Sequence, residues 1–215
     1  MDAATLQNRI YKGYAKAASR IGYTTDVYRP VSAANPLAYG NKIASIPVSF
    51  NAEDMTYSRP NKYAKPTWYA LLDGTLVKVG DYLQNNNDGT FFIAAMQQAL
   101  PVLVVSTNRT INVLRAMQQT ATGAVGYNGD TVATETALMT AWPASVLIGT
   151  KGEKNAVGLP GDSRQPWWAI LLPAVASVVI RPYDIITDEL SRRYIVSSAE
   201  LTGLGWRLTA EQVLP

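Results

Sequence analysis

The feature that most constrains the fold is a series of short apolar runs, rich in β-branched and aromatic residues, that recurs along the chain. Each run is bounded by Pro, Gly, Asp or Ser, which favour turns. Runs of this kind are typical of the strands of a small β-barrel or β-sandwich. In the last third of the chain they lie within 165–172, 178–186, 193–200 and 205–213.

An earlier set of runs in the first half of the chain matches this set in the same order, which indicates an internal duplication. In each half an aspartate also precedes an aromatic strand residue by the same number of positions. A unit of roughly seventy residues is only marginally stable alone, so we expect the two units to pack together or into a ring. The matches are 44–46 with 144–146, 68–72 with 167–171, Asp81 with Asp184, and Phe91 with Tyr194.

The sequence therefore predicts a mainly β protein with four parts. Residues 1–41 form an N-terminal amphipathic helix and an extended arm, and residues 42–115 form the first β unit. Residues 116–142 are small, polar and glycine-rich in their first half and are expected to be a linker, with either a short helix or a loop near 134–139. Residues 143–215 form the second β unit. Whether each unit is a barrel or a sandwich is left open.

Residues 3–21 have helical periodicity. Asp2 precedes them, where a negative charge favours the helix dipole, and Gly22 is a plausible stop. The arm that follows begins with a strand near 24–28 and continues through two prolines; it is either a linker or a segment that lies on a neighbouring subunit. The expected apolar face of the helix consists of Leu6, Ile10, Tyr14 or Tyr11, Ala17 and Ile21.

A basic stripe lies opposite this apolar face of the helix. Four positive residues recur at three- and four-residue spacing without an intervening acid. The stripe is either a solvated surface or a contact with DNA or with an acidic partner. Its members are Arg9, Lys12, Lys16 and Arg20.

The composition excludes several kinds of chemistry. The chain has no cysteine and no histidine, so disulfides, thiolate or imidazole metal sites and Ser-His-Asp or Cys-His pairs are impossible. No apolar run reaches the length of a membrane span, and the N-terminal residues lack the layout of a signal peptide, so we expect cytoplasmic synthesis. Hydrophobic residues make up 47% and charged residues only 16%, a balance that suits a subunit of a permanent assembly. The net charge of +3 is a weak signal for nucleic acid.

No catalytic constellation can be assembled from the carboxylates, so the chain is predicted not to be an enzyme and to need no cofactor or metal. Asp81 and Asp184 follow apolar strands in both units; turn formation by bonding nearby backbone N–H groups is favoured over a cation site. The remaining candidates for a hydrolytic pair show no suggestive spacing. They are Glu135, Glu153, Asp162, Asp188, Glu189 and Glu200.

Aromatic residues offer two further hypotheses. Trp68, Trp167, Trp168 and Trp206 lie on apolar strands and are expected to pack in the core, although they could instead form a stacking platform. A loop between the first two strands of the first unit mixes aromatic and positive residues and is either a partner-contact surface or a plain exposed loop. The candidate interface residues of this loop are Tyr57, Arg59, Lys62, Tyr63 and Lys65.

The style of strand and turn in both units resembles the neck proteins of tailed bacteriophages, of the head-closure or head–tail connector class. The resemblance rests on the segment 183–208 (YDIITDELSRRYIVSSAELTGLGWRL), with a similar pattern at 89–97 (GTFFIAAMQ) and 100–103 (LPVL). It covers 42–115 and 143–215 and leaves the helix outside. The duplication departs from the single-barrel stopper usual in that class, so the position within the neck stays open.

This resemblance implies a non-enzymatic virion subunit that forms a ring around the genome channel. The expected partners are further copies of the chain, a portal or adaptor protein, tail proteins and the genomic DNA that passes the channel, with no membrane. The expected location is the virion, after assembly in the host cytoplasm. The alternative is a carbohydrate- or nucleic-acid-binding β module, such as a tail-associated adhesin, that uses aromatic platforms.

Overall fold

The structure is a computed structural model and describes residues 2–52, 65–116, 134–149 and 167–213. One helix, α1 (Ala3–Ile21), begins where Asp2 caps it: the Thr5 N–H donates to Asp2 Oδ1 at 2.7 Å, and this bond lowers the pKa of Asp2. A single 3₁₀ turn covers Tyr39–Asn41. The strands are β1 Tyr23–Tyr28, β2 Lys42–Ala52, β3 Thr67–Leu71, β4 Tyr82–Asn85, β5 Gly89–Ala95, β6 Val102–Ser106, β7 Arg109–Ala116, β8 Glu135–Ile148, β9 Trp167–Leu172, β10 Ile185–Asp188, β11 Arg193–Thr202 and β12 Gly205–Val213.

These strands form two closed, six-stranded antiparallel barrels, which confirms the predicted pair of β units and identifies them as barrels. The first barrel runs β1-β2-β3-β6-β5-β4, and the second runs β7-β8-β9-β12-β11-β10. The order of connections is the same in both, so β7 occupies the place of β1 and each later strand follows suit. Closure leaves neither sheet with an edge strand.

The apolar residues that alternate along each strand fill the barrel interiors. In the first barrel the interior is an aliphatic and aromatic cluster, and in the second barrel the interior cluster also extends to outward-facing residues of the first barrel. Fully buried members include Val27, Leu83 and Val104 in the first interior and Val113, Ile186 and Leu208 in the second.

On β3 and β9 the strand registers shift the equivalence between the two barrels by one residue from the predicted match of 68–72 with 167–171. Trp68 pairs with Ala52 and Trp168 pairs with Ile148, while Pro47 and Pro143 occupy equal places opposite Thr24 and Thr110. Trp68 therefore corresponds to Trp168 and not to Trp167. A slip of one residue inverts the facing of a strand, so the corrected register is the one that keeps Ala70 and Ile170 both inside.

The strand boundaries also differ from the predicted division of the chain. β1 lies in the first barrel although it falls within 1–41, and β7 pairs with β8 and β10 of the second barrel although the sequence assigned it to 42–115. β8 begins at Glu135, so the end of the predicted linker is a strand and neither a helix nor a loop. Each barrel needs a sixth strand for closure, and the strand before the predicted start supplies it. The glycine-rich part of the linker lies outside the described residues.

The arm after β1 lies on its own chain. It leaves the first barrel at Arg29, crosses to the second barrel and returns to the 3₁₀ turn, where the Arg29 N–H donates to the Asn41 carbonyl at 2.8 Å. Ala33 accepts from the Thr140 N–H at 3.1 Å. The arm thus contacts both barrels within one molecule.

The helix packs on the first barrel through the middle of the predicted face, which includes Tyr11, but not through the two ends of that face. Tyr11 and Ala18 are buried, whereas Leu6 and Ile21 are exposed. A Cβ on Gly22 would lie 2.3 Å from the Val48 carbonyl oxygen, so only glycine allows this close approach of the helix end to β2. The prediction was wrong for Leu6 and Ile21 at the ends, because the tyrosine and small residues fit against the barrel.

Candidate assembly surfaces

A buried ion pair stands at the same place in each barrel. In the first barrel the Arg29 guanidinium donates from Nε to Asp81 Oδ1 at 2.9 Å and from Nη2 to Asp81 Oδ2 at 2.7 Å. Asp81 is buried and also accepts from the Lys78 N–H at 2.8 Å. The bond to Asp81 raises the pKa of Arg29. This arrangement is a bidentate pair combined with a turn.

The second barrel repeats this geometry. Arg115 donates from Nε and Nη2 to the two carboxylate oxygens of Asp184, each at 2.8 Å, and the Arg181 N–H donates to Asp184 Oδ2 at 2.7 Å. The bond to Asp184 raises the pKa of Arg115. We call the two pairs the arginine clamps. The predicted turn role of both aspartates is confirmed, and their arginine partners are new.

The arginines of the clamps escaped sequence reasoning because their partners lie far along the chain. A signal was nevertheless present: Val27-Tyr28-Arg29 and Val113-Leu114-Arg115 lie at or next to the end of the first strand of each barrel. The sequence alignment placed these segments in different kinds of region, an arm and a β unit. Both segments belong to the first strand of a barrel, β1 and β7, and when these two strands are aligned Arg29 corresponds to Arg115.

A second polar position is duplicated four residues after the aspartate of each clamp. Asn85 and Asp188 are both buried at the end of their strands. Asn85 Oδ1 accepts from the N–H of Asn87 at 2.9 Å, and Asp188 Oδ1 accepts from the N–H of Leu190 at 3.0 Å. These side chains terminate the strand by satisfying turn donors.

The carboxylates considered for catalysis are used in structure wherever the structure describes them. Each of the four has at least one partner, and Glu153 and Asp162 lie outside the described residues. Such bonds orient the chain. The partners are Arg193 for Glu135, Tyr194 for Asp188, Arg109 for Glu189 and Arg207 for Glu200.

The basic stripe faces solvent. All four of its side chains are exposed and lie on the side of α1 that is turned away from the buried Tyr11 and Ala18. None of the four forms an ion pair within the described part of the chain. The stripe is therefore available for an acidic partner or for nucleic acid.

The candidate interface loop is described only at its end. Tyr57, Arg59, Lys62 and Tyr63 lie outside the described residues, and Lys65 is exposed and has an interaction partner. The hypothesis of a partner-contact loop stays a prediction.

The contact between the barrels, which we call the junction, is built around two aromatic residues. The Tyr82 ring lies on the outside of the first barrel, 5.9 Å from the Trp142 ring, and its hydroxyl donates to the Pro143 carbonyl at 2.7 Å. Trp142 Nε1–H donates to the Ala33 carbonyl at 2.7 Å. Burial raises the pKa of Tyr82 well above its usual value. Both side-chain donors, the Tyr82 hydroxyl and the Trp142 Nε1–H, are satisfied, so the junction is a packed interface rather than a ligand site.

A cleft of about 340 Å³ opens beside the junction, with Arg29, Lys78, Trp142 and Ala174 in its walls. Its arginine belongs to a clamp, so only Lys78 offers an uncommitted charge there.

A second depression, about 440 Å³ in volume, lies on the outside of the second barrel. Its floor is β11 and β12, and its rim carries exposed apolar side chains. Tyr183 at the rim is 82% exposed and has a φ of 72°. We call this surface the open face and define it by Tyr183, Ile195, Ser197, Glu211 and Val213.

The tryptophans do not form an exposed platform. All five lie in the described part of the chain, and none is exposed. Trp142 and Trp206 are buried, which agrees with the core role expected for Trp206, and Trp68, Trp167 and Trp168 are half-buried.

The described residues contain no cluster of three or more acidic side chains that could hold a metal ion. Among them, no helix combines the length and apolarity that crossing a bilayer requires. Comparison of the chain with protein-family models, curated proteins and solved structures found no match.

Proposed function

We propose that this chain is a structural subunit of a tailed-bacteriophage particle, where copies of it form a ring at the neck between head and tail around the genome channel. The observation that carries the proposal is the combination of low charge with large apolar side chains exposed on both barrels. Charged residues are only 16% of the chain, and Tyr23 on the first barrel and Tyr183 on the second are 53% and 82% exposed. Such surfaces are typical of subunits whose interfaces are permanent.

The use of the buried carboxylates in clamps and turns supports a structural role. Asp81, Asp184 and Asp188 all hold their own backbone or a neighbouring strand. A closed barrel stabilised in this way is a rigid body, which suits a subunit that has to keep its shape under the pressure of packaged DNA.

The basic stripe supplies the second part of the proposal. In a ring, the four positive residues on each copy of α1 face either the DNA in the channel or an acidic surface of a neighbour, which is a further copy of the chain or the portal, adaptor or tail protein. A ring multiplies this charge by the number of subunits, so a stripe that is weak in one copy becomes a continuous positive band.

The alternative of a carbohydrate- or nucleic-acid-binding module has less support. It depends on aromatic platforms, and the five tryptophans are buried or half-buried. The strongly exposed aromatic residues are tyrosines that lie on separate parts of the surface, such as Tyr39 on the arm and Tyr183 at the open face.

The test is to look for the protein in purified particles of the phage that encodes it, by mass spectrometry, and to image the isolated protein by electron microscopy. The proposal expects the chain in stoichiometric amounts at the neck and rings of the isolated protein or of its complex with a neighbour. A stable monomer that is missing from the particles would refute it.

The basic stripe is tested by charge reversal. Lys12→Glu combined with Lys16→Glu is expected to reduce particle assembly or genome retention by about tenfold or more, without a change in melting temperature, because both side chains are exposed. The matched control is Lys78→Glu with Arg181→Glu, which reverses two exposed charges at equivalent turns of the two barrels. Equal phage titres for both double variants would show that the stripe is merely solvated.

A further inference from the structure

We infer that the open face of the second barrel binds the first barrel of another copy of this chain, in the same way as the first barrel binds the second within one molecule. The inference rests on the proposed ring and names the two surfaces that would form it. Its basis is the equivalence of the two barrels, whose strand orders and registers match.

The open face is the counterpart of a surface that is buried in the first barrel. Through the paired strands β5–β6 and β11–β12, Phe92 corresponds to Ile195 and Val105 corresponds to Glu211. Phe92 is 1% exposed because it packs at the junction, whereas Ile195 is 41% exposed. The second barrel thus presents its junction surface without a described residue to cover it.

A receiving surface on the first barrel is equally uncovered. Thr110 and Pro143 form a cross-strand pair in the second barrel, and Pro143 is buried by Tyr82 of the first barrel. The equivalent pair in the first barrel is Thr24 with Pro47. Thr24 is exposed as Thr110 is, but Pro47 is exposed where Pro143 is buried. A single chain therefore contains one complete junction between its two barrels. It also leaves two complementary surfaces uncovered among the described residues: the open face on the second barrel and the surface around Thr24 and Pro47 on the first.

Apolar side chains surround the receiving surface. Tyr23 begins the strand that carries Thr24 and is 53% exposed, and Ile21 at the end of α1 is 60% exposed. We define the receiving surface by Ile21, Tyr23, Thr24 and Pro47. Together with Tyr183, Ile195 and Val213 on the open face, these residues would bury apolar area that now contacts water.

The differences between the two junction surfaces favour a contact between copies over a simple repeat of the internal one. Ser197 and Glu211 replace Ala94 and Val105, so the open face is more polar and carries a negative charge. Arg20 precedes Ile21 on α1 and is exposed without an ion-pair partner in the described part of the chain. Glu211 on one copy and Arg20 on the next are complementary charges at the rim of such a contact.

A contact of this kind is heterologous, because it joins two different surfaces. Each added copy again leaves one open face and one receiving surface free, so the assembly either closes into a ring or continues as a filament. The arrangement within one chain, where two barrels follow head to tail, sets the rotation that would decide between them.

The absence of cysteine from the chain makes a crosslinking test clean. Val213→Cys and Pro47→Cys in one chain should give a ladder of covalent oligomers on mild oxidation. A mixture of the two single variants should stop at the dimer, since each copy then carries only one reactive site. Covalent dimers from Val213→Cys alone would show a two-fold contact and overturn the inference, as would a failure of the double variant to crosslink.

A second experiment keeps assembly and folding apart. Ile195→Glu places a second negative charge beside Glu211 and should weaken self-association, measured by sedimentation velocity, on the order of tenfold or more. The matched control is Leu190→Glu, which is 49% exposed on the same barrel but does not line the open face. Melting temperatures of both variants should equal that of the unchanged chain, because both side chains are exposed.

These outcomes separate the inference from the proposed function. Rings that persist in Ile195→Glu, without a crosslink between positions 47 and 213, would leave the ring proposal standing and refute the surfaces named here. A chain that is monomeric at every concentration, and that does not crosslink, would refute both.

Discussion

The two barrels have the same framework but different surroundings. Both close with the same strand order, and both carry an arginine clamp that links the end of the first strand to the turn before the fourth. The first barrel is covered by α1 on one side and by the second barrel on the other, whereas the second barrel is covered by the first barrel and by the arm among the described residues. The two barrels therefore share their interior packing and their clamps, and they differ in the outward-facing residues, which determine what each barrel binds.

One hairpin shows this difference at the level of sequence. Between β5 and β6 the chain makes a short connection that supports the helix, where the Ala99 N–H donates to Gln7 Oε1 at 2.7 Å. The equivalent strands β11 and β12 continue their pairing as far as Thr202 and Gly205, and Leu201 is 59% exposed there. The same topological position supports an element in one barrel and projects into solvent in the other.

Among the substitutions that test the comparison of the two barrels, truncation of Trp142 is expected to lower the free energy of unfolding most. Its side chain belongs to the junction, where the surroundings of the two barrels differ. Trp142→Ala should lower the free energy of unfolding by about 3–5 kcal/mol, measured by urea denaturation, since it removes a fully buried ring and a hydrogen bond to the Ala33 carbonyl. Trp142→Phe is the control: it keeps most of the packing and loses the donor. A loss below about 1 kcal/mol for Trp142→Ala would mean that the junction contributes little.

Much of this framework could be predicted from the sequence, because the residue patterns that favour strands and helices extend over only a few neighbouring positions. The bounds of α1 agree with the predicted 3–21, and the duplicated Asp81 and Asp184 were recognised from their spacing to the aromatic strand residue. Alternation and turn residues are short-range signals, and they survive in both copies.

The rest depends on which distant segments meet, and local patterns do not encode that directly. Arg29 looked like part of an arm, and Arg115 like the edge of a linker, until barrel closure placed β1 and β7 in equal positions. The open face was missed for the same reason. Ile195 reads as an ordinary strand residue, and only its equivalence to the buried Phe92 makes its exposure informative.

Substitutions in the two clamps test whether equivalent contacts contribute equally to the free energy of unfolding of the two barrels. Arg29→Met and Arg115→Met should each lower the free energy of unfolding by about 1.5–3 kcal/mol, because each leaves a buried carboxylate without its charged donor. The arginines are about a third exposed, which holds the loss below that of a fully buried pair. Double variants with Asp81→Asn or Asp184→Asn should recover part of it. Losses that differ by more than about twofold would break the equivalence.

The smallest expected effect belongs to Tyr82, the junction residue whose counterpart in the second barrel is Ile185. Tyr82→Phe keeps the ring against Trp142 and removes the hydrogen bond to the Pro143 carbonyl, so the free energy of unfolding near pH 8 should fall by about 1 kcal/mol.

The pH dependence of this difference gives a sharper test, because burial raises the pKa of Tyr82 in the folded chain. In the unfolded chain the tyrosine loses its proton near its usual pKa of about 10. Above that pH the unfolded state binds fewer protons than the folded state, so the unchanged chain loses stability as pH rises, by up to about 1.4 kcal/mol per pH unit. Tyr82→Phe lacks this loss, and the other tyrosines and the lysines contribute equally to both proteins. The stability gap measured by urea denaturation should therefore close, and then reverse, between about pH 10 and 11. A gap that stays constant over this range would show that water reaches Tyr82, and hence that the junction opens in solution.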